Sequence, residues 1–334
     1  MADPSMMRAL VFDRPAPDTR ATRVASLPVP RPGPGTVSID VRYAGVNFKD
    51  VMARRGDAGY APHWPLVPGV EVAGTVRAVG PGVESTAVGR EVVALTNAGG
   101  LAEVAVADAA LTVPVPPGLD LRRAAAAPGA PTSAALLLDA LGRVRAGDTV
   151  LVHSAAGAVG QAVAQTARRR GVRCLVGAVG SPARVEAALR AGYDEVVVRT
   201  DDLVAAVRAR VPDGVDLVLD PQGTAVLARD LDVLAPTGRV VVFGNAGGTP
   251  LAALPPLGRL FAGNAAIGAF SLEALSRTAP RLVAAALAGV LDDLVDGRLD
   301  LPVTDVAGLD RAADAQQALA EGAGAGKYVV AVRD

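Results

Sequence analysis

The chain has 334 residues, 51% of them hydrophobic and 20% charged, with a formal net charge of −1. That composition supplies core for two domains of ordinary size and gives no long-range attraction for nucleic acid or an anionic membrane. A single cysteine, Cys174, excludes an internal disulfide and any multi-cysteine zinc site.

Residues 7–120 read as β-rich. Short apolar or alternating runs at Arg8–Phe12, Val37–Ala44, Gly69–Val79, Arg90–Leu95 and Leu101–Val106 are separated by Pro-Gly turns such as Arg31–Gly35 and Val79–Val83. Alternation with little helix predicts a rolled, barrel-like antiparallel domain. One helix is expected at Asn47–Arg55, with Asn47 as N-cap and Gly56 as its stop.

The pattern changes near residue 122. Leu121–Leu141 is alanine-rich and helical, with Pro128 and Pro131 as expected breaks. From Asp148 to about residue 245 strands (Thr149–His153, Val172–Val179, Glu195–Arg199, Asp216–Asp220, Arg239–Phe243) alternate with helices (Ala158–Arg170, Pro182–Ala191, Leu203–Arg210, Ala225–Leu234). This rhythm predicts a doubly wound parallel sheet, with Asn264–Phe270 as a further edge strand. A long helix at Arg277–Leu294, a second at Gly308–Leu319 and a strand at Tyr328–Val332 complete the chain. That last strand has no neighbour in sequence and is expected to return to the first domain. The division is 1–122, 123–265 and 266–334. Cys174 falls in an apolar strand pattern and reads as inert core. The Arg168–Arg170 run reads as a solvated helix end. Leu282–Leu291 is too short to span a bilayer, and no targeting segment is read at Met1–Ser5, which looks like a ragged or appended start. A cytoplasmic protein is expected.

Thr149–Gly160, TVLVHSAAGAVG, carries the chemistry. A buried strand, a turn of tiny residues and a helix form the geometry that seats a pyrophosphate, with the N–H groups of Ala156, Gly157, Ala158, Val159 and Gly160 facing the anion. The glycine fingerprint is reduced to Ala155-x-Gly157-x-x-Gly160, and a tight turn in any α/β domain is the plain alternative. An acid at the end of the second strand would accept from both ribose hydroxyls. None occurs from Gly171 to Val185. Gly180, Ser181 and Arg184 stand there instead, with Arg199 as a second cation, a set that suits a 2′-phosphate and therefore NADPH. His153, inside a buried strand, reads as a core histidine.

With these elements placed, further motifs can be compared. Ala44-Gly45-Val46-Asn47-Phe48-Lys49-Asp50, Pro68–Gly74, Val79–Val83, Val152–Gly160, Phe243-Gly244-Asn245 and Gly326-Lys327 follow one another in order. The chain resembles the zinc-independent quinone oxidoreductase branch of the medium-chain dehydrogenase/reductase superfamily, which includes enoyl reductase domains of polyketide and fatty-acid synthases. The resemblance spans about residues 7–332. It implies an α/β protein with a GroES-like β-rich catalytic domain and a Rossmann domain, with the active site in the cleft between them. Zinc-dependent relatives carry Cys near Val46–Asn47 and His at Val70; neither is present, so no metal is expected. Ala158 replaces a common glycine, Arg184 a usual lysine, Met52 the tyrosine of some quinone reductases, and Leu101 an aromatic residue.

The resemblance also implies roles. Tyr60 matches a tyrosine that hydrogen-bonds or protonates substrate, with rim packing as the alternative. Asn47 is either a plain N-cap or a donor to nicotinamide or substrate. Lys49 and Asp50 complete the motif, with a surface ion pair expected for Lys49 and loop organisation for Asp50. His63 and Trp64 shape the substrate mouth or anchor their loop. Thr132, Phe243, Gly244, Asn245 and Lys327 match positions that touch the nicotinamide half or the cleft, and Glu71 is expected to be structural. The implied activity is NADPH-dependent hydride transfer to an activated C=C bond or a quinone, on an enoyl thioester, an enone or a quinone. The alternatives are a non-catalytic NADPH-binding protein and a redox-neutral cyclase or lyase. A homodimer through Asn264–Phe270 is expected, with no nucleic-acid or membrane partner.

Overall fold

The structure, a computed structural model, describes residues 5–199, 202–323 and 326–333. The first stretch lays down β1 (Met6–Phe12), β2 (Thr22–Pro28), β3 (Thr36–Gly45), helix α1 (Phe48–Arg55), β4 (Glu71–Val79), β5 (Glu91–Leu95), β6 (Val104–Asp108) and β7 (Thr112–Pro114). β1 pairs with β2 as a separate antiparallel ribbon. Gly56 ends α1 with a φ of 79°, the left-handed conformation that a glycine adopts without strain. The sequence did not mark β2 or β7. β2 buries no residue fully and β7 is three residues long, so neither carries a hydrophobic signal.

Next come α2 (Leu121–Ala124) and α3 (Ala130–Leu136), which runs on into a π-helical turn at Leu137–Leu141. Pro131 does not break the helix as expected. It lies in the first turn of α3, where its missing N–H has no partner to lose.

From there strands and helices alternate: β8 (Thr149–His153), α4 (Ala158–Arg169), β9 (Cys174–Val179), α5 (Val185–Ala191), β10 (Glu195–Val198), α6 (Leu203–Arg208), β11 (Val215–Asp220), α7 (Leu227–Asp232), β12 (Leu234–Val242), α8 (Leu257–Gly263) and β13 (Ala266–Ala269). They form a parallel sheet in the order β10-β9-β8-β11-β12-β13. The order reverses between β8 and β11, and that reversal opens a crevice at the carboxyl ends of the strands. Cys174 opens β9 and is partly exposed, so it is not the core residue that the apolar pattern predicts.

The remainder forms α9 (Leu272–Thr278), α10 (Pro280–Val295), β14 (Val303–Ala307), α11 (Ala312–Ala320) and β15 (Lys327–Ala331). The single helix expected over Arg277–Leu294 is two, because Pro280 begins a new one. β15 pairs antiparallel with β3 and parallel with β14, in a sheet ordered β14-β15-β3-β4-β5-β7 with β6 added on β3.

The chain falls into two compact units, Met1–Thr132 with Glu273–Asp334, and Ser133–Leu272. Both divisions lie later than the boundaries read from composition. Each unit has its own core, built around Leu10, Phe12, Ile39 and Val72 in the first and Leu151, Val176, Leu203 and Val218 in the second. No described helix is long and apolar enough to cross a membrane.

Candidate functional site

In the second unit every residue of β8 is buried, as a central parallel strand requires. Ser154 turns the chain with a φ of 55°, and its hydroxyl accepts from Gln222 Nε2 at 3.0 Å. Gly157 is the N-cap of α4 and brings no capping side chain. The helix therefore presents its first N–H groups and its positive dipole end without an internal acceptor. At Gly160 a Cβ would stand 2.5 Å from the Ala155 carbonyl oxygen, so only glycine lets the helix close on the turn. Ala158 is the first helical residue and has no positive φ, so its methyl group is accommodated.

The cations predicted for a phosphate gather beside this turn. Arg184 donates from Nη2 to the Ala156 carbonyl at 3.2 Å, which places its charge against the turn itself. Arg199 holds the end of β9 through its backbone N–H to Val179 O at 2.7 Å. Its Nη2 lies 3.7 Å from where a Cβ on Gly180 would stand. Gly180, Ser181, Arg184 and Arg199 are thus brought to one end of β9. Phe243 donates its N–H to Asp220 O at 2.8 Å, and a Cβ on Gly244 would meet Pro221 O at 2.9 Å. Asn245 Nδ2 donates to Thr249 O at 2.7 Å. All three sit at the same carboxyl edge of the sheet.

Tyr193 was not singled out from the sequence. Its buried hydroxyl donates to Gly160 O at 2.8 Å and fixes the first turn of α4. Ala155 packs so close to Gly177 of β9 that a Cβ there would meet its methyl at 2.8 Å. His153 is buried as expected, with Nε2 2.8 Å from Asp230 Oδ1.

The first unit gathers a buried polar knot. Lys327 at the start of β15 is 2% exposed and Glu71 at the start of β4 is fully buried, and the two form an ion pair. Lys327 Nζ also donates to Asn47 Oδ1 at 2.7 Å and to Val46 O at 3.0 Å. These three acceptors take all three ammonium protons, so Lys327 is not free to touch a cofactor directly. Asn47 Nδ2 donates to Glu71 Oε1 at 2.7 Å, and Gly129 N–H donates to Glu71 Oε2 at 2.6 Å. Asn47 occupies the N-cap position, yet its side chain is turned to Glu71 and Lys327. Its amide orientation is therefore set from both ends.

Asp50 accepts from Asn47 N–H at 2.8 Å and Gly69 N–H at 2.9 Å, which organises the loop. Burial pushes its carboxyl up to about 6, against the pull of those two donors and of Lys327 and Lys49. Lys49 forms an ion pair with Glu273 and donates to Asn97 O at 3.3 Å. Thr132 is buried with its hydroxyl on Ala127 O at 3.0 Å. Tyr60 packs on the first core, and no described residue pairs with its hydroxyl. Burial first, then the Asp57 and Glu273 charges, raise its phenol above the ordinary value, so it holds its proton at neutral pH. His63 is exposed with Nδ1 3.3 Å from Pro65 O, while Trp64 packs 6.3 Å from the Phe12 ring.

Residues 33–117 match the family described as alcohol dehydrogenase GroES-like domain, and residues 158–287 match that described as zinc-binding dehydrogenase. The rat synaptic vesicle membrane protein VAT-1 homolog is 36% identical over 218 residues, 65% of this chain and 54% of that protein. The chain thus spans about half the length of that relative. The phthioceranic/hydroxyphthioceranic acid synthase of Mycobacterium tuberculosis is 35% identical over 305 residues, 90% of this chain and 14% of the synthase. A mycobacterial quinone oxidoreductase structure aligns with a TM-score of 0.84 at 31% identity, covering 97% of this chain and 99% of that one. The Escherichia coli quinone oxidoreductase complexed with NADPH aligns with a TM-score of 0.86 at 25% identity, covering 97% and 99%. With a GroES-like unit, a parallel-sheet Rossmann unit and near-complete coverage by a relative above 30% identity, the chain belongs to the medium-chain dehydrogenase/reductase superfamily, in its zinc-independent quinone oxidoreductase branch.

Proposed function

We propose that the chain binds NADPH on its second unit and reduces a C=C bond conjugated to a carbonyl, or a quinone. The observation that carries this is the guanidinium of Arg184 on the Ala156 carbonyl, in a turn whose helix end has no capping side chain. Gly160 leaves room that a Cβ would fill, and Gly180, Ser181 and Arg199 offer donors and charge where NAD-specific sites carry an acid. These residues fit a dinucleotide with a 2′-phosphate. The NADPH complex of the Escherichia coli relative supports the same reading.

Bound NADPH supplies the hydride. The chain's residues supply the rest: Tyr60 keeps its proton at neutral pH and donates it to the developing enolate or to carbon. Asn47, whose two amide hydrogens go to Glu71 and the Gly45 carbonyl, presents the remaining acceptor capacity of its Oδ1 to nicotinamide or substrate. Asp50 holds the loop that carries Asn47, Lys49 keeps α1 tied to Glu273, and Lys327 acts through Asn47. Phe243, Gly244 and Asn245 serve the nicotinamide half, and Thr132, fully buried with its hydroxyl on Ala127 O, has a structural part only. Aromatic residues make up 3% of the chain, which favours an enone or enoyl thioester over a flat quinone that needs stacking.

The test is NADPH oxidation against enoyl-thioester, enone and quinone panels. Tyr60→Phe is expected to lower kcat by roughly 100-fold with NADPH affinity unchanged. NADPH binding without turnover on any acceptor, with indifference to Tyr60→Phe, returns the non-catalytic reading. Substrate conversion without NADPH loss returns the redox-neutral one.

A homodimer through β13 belongs to the same proposal. β13 is the last strand of its sheet, and Leu257 and Phe261, on the helix α8 that leads into it, are 66% and 74% exposed. A second copy laid edge to edge would extend the sheet and cover these side chains. Sedimentation is expected to give a dimer for the intact chain and a monomer for Phe261→Asp; a monomeric unsubstituted chain removes this part. The lone cysteine fits a reducing, cytoplasmic setting.

A further inference from the structure

The second sheet reverses its order between β8 and β11, and a polar bridge spans the two sides of that reversal. Ser154 follows β8 on one side and Gln222 follows β11 on the other. Gln222 Nε2 donates to the Ser154 hydroxyl at 3.0 Å, and Ser154 is exposed. Neither side chain takes part in the chemistry proposed for hydride transfer.

Ser154 has a φ of 55°, in the left-handed region where a side chain is strained and glycine is the usual residue. Its carbonyl accepts from the Gly157 N–H at 2.8 Å, so the bend itself needs only backbone. A glycine would make the same bend with less strain. The hydroxyl is retained against that preference, and strained backbone of this kind gathers at ligand sites.

Gln222 is fixed from below. Its N–H donates to Asp220 Oδ1 at 2.6 Å. Pro221 O accepts from the Ala246 N–H at 2.9 Å and Asp220 O from the Phe243 N–H at 2.8 Å, which tie this loop to the chain leaving β12. Asp220 is fully buried, with side-chain atoms of His153 and Asp230 within 4.8 Å. A buried footing thus carries an amide that reaches the exposed bend.

The direction of the contact decides what Ser154 can do. A hydroxyl has one proton and two lone pairs. The Gln222 amide takes one lone pair, which polarises the hydroxyl and leaves its proton to donate elsewhere. A directed donor at the lip of the switch-point crevice suits an anionic oxygen.

We propose that Ser154 is a further binding residue for the dinucleotide, donating its hydroxyl proton to the diphosphate, and that Gln222 is the positioning residue that aims it. The inference rests on the NADPH reading above, but concerns the diphosphate that NADPH and NADH share. It adds one side-chain donor to a turn that otherwise offers backbone N–H groups.

The test is calorimetric titration of the intact chain, Ser154→Gly, Gln222→Ala and the double variant with NADPH and with NADH. Ser154→Gly is expected to weaken NADPH about tenfold while its thermal midpoint holds or rises, because the strained φ is relieved. Gln222→Ala is expected to weaken NADPH about threefold. The double variant should lose no more than Ser154→Gly alone, because Gln222 acts through the hydroxyl. NADH should lose by the same factors. NADPH affinity unchanged or raised in Ser154→Gly overturns the proposal, as does strict additivity in the double variant. Tighter binding by Gln222→Ala would make the bridge a barrier to the ligand and also overturns it. A loss confined to NADPH places the hydroxyl with the 2′-phosphate and overturns the diphosphate assignment. Should Ser154→Gly not fold, Ser154→Ala decides by the same affinity criterion. No binding of either dinucleotide to the unsubstituted chain defeats the cofactor reading together with this one, whereas unsubstituted chain that prefers NADH defeats the NADPH reading alone.

Discussion

Lys327→Met is expected to destabilise the first unit by about 3–5 kcal/mol, read as a fall of roughly 6–20 °C in thermal midpoint. The substitution leaves the Glu71 carboxylate fully buried with no cation, and it strips Asn47 Oδ1 and the Val46 carbonyl of their shared donor. A buried charge without its partner is far more costly than the pair is worth. Glu71→Gln combined with Lys327→Met therefore loses less than the sum of the two single changes, because no net charge stays buried. Thermal denaturation of the two single variants and the double checks this. A change within about 1 kcal/mol for Lys327→Met, or strict additivity, would show that the knot is not an electrostatic unit.

Arg184→Ala carries the largest expected effect on binding. A hydrogen bond between a guanidinium and a phosphate is worth about 1.5–3 kcal/mol, so NADPH affinity should fall roughly 10- to 150-fold. NADH affinity should stay within about twofold, because NADH lacks the group that Arg184 neutralises. Arg184→Lys keeps the charge and should recover part of the loss. Raising ionic strength should weaken NADPH more than NADH in the unsubstituted chain, and less so in Arg184→Ala. Equal losses for both dinucleotides would assign Arg184 to the turn's architecture through its bond to Ala156 instead.

The second unit was legible in the sequence because strands buried on both faces read as continuous apolar runs, and Thr149–His153 is one of these. The glycine turn, the missing acid and Arg184 are local features, so reading along the chain reached them. The return of the last strand to the first unit was legible, and β15 does pair with β3, but the side-chain meetings that it creates were not. Nothing near Lys327 announces that its ammonium will meet Glu71 and Asn47, since the meeting depends on β15 returning to β3. The cluster of Asp220, Asp230 and His153 depends in the same way on strand order. β14 escaped notice because Thr304 and Asp305 interrupt its apolar pattern, and its neighbour β15 lies beyond α11. Asn47 shows a local position serving a distant one: it forms a capping box with Asp50 at the start of α1, while its amide also meets two buried charges that no neighbouring residue announces.

The most direct measurement is calorimetric titration of the unsubstituted chain with NADPH and with NADH at one pH and ionic strength. Saturable heat with both, and NADPH bound at least about tenfold more tightly, is the predicted result. No heat with either dinucleotide, or a preference for NADH, would contradict a phosphate seat beside Ala156 and the function built on it.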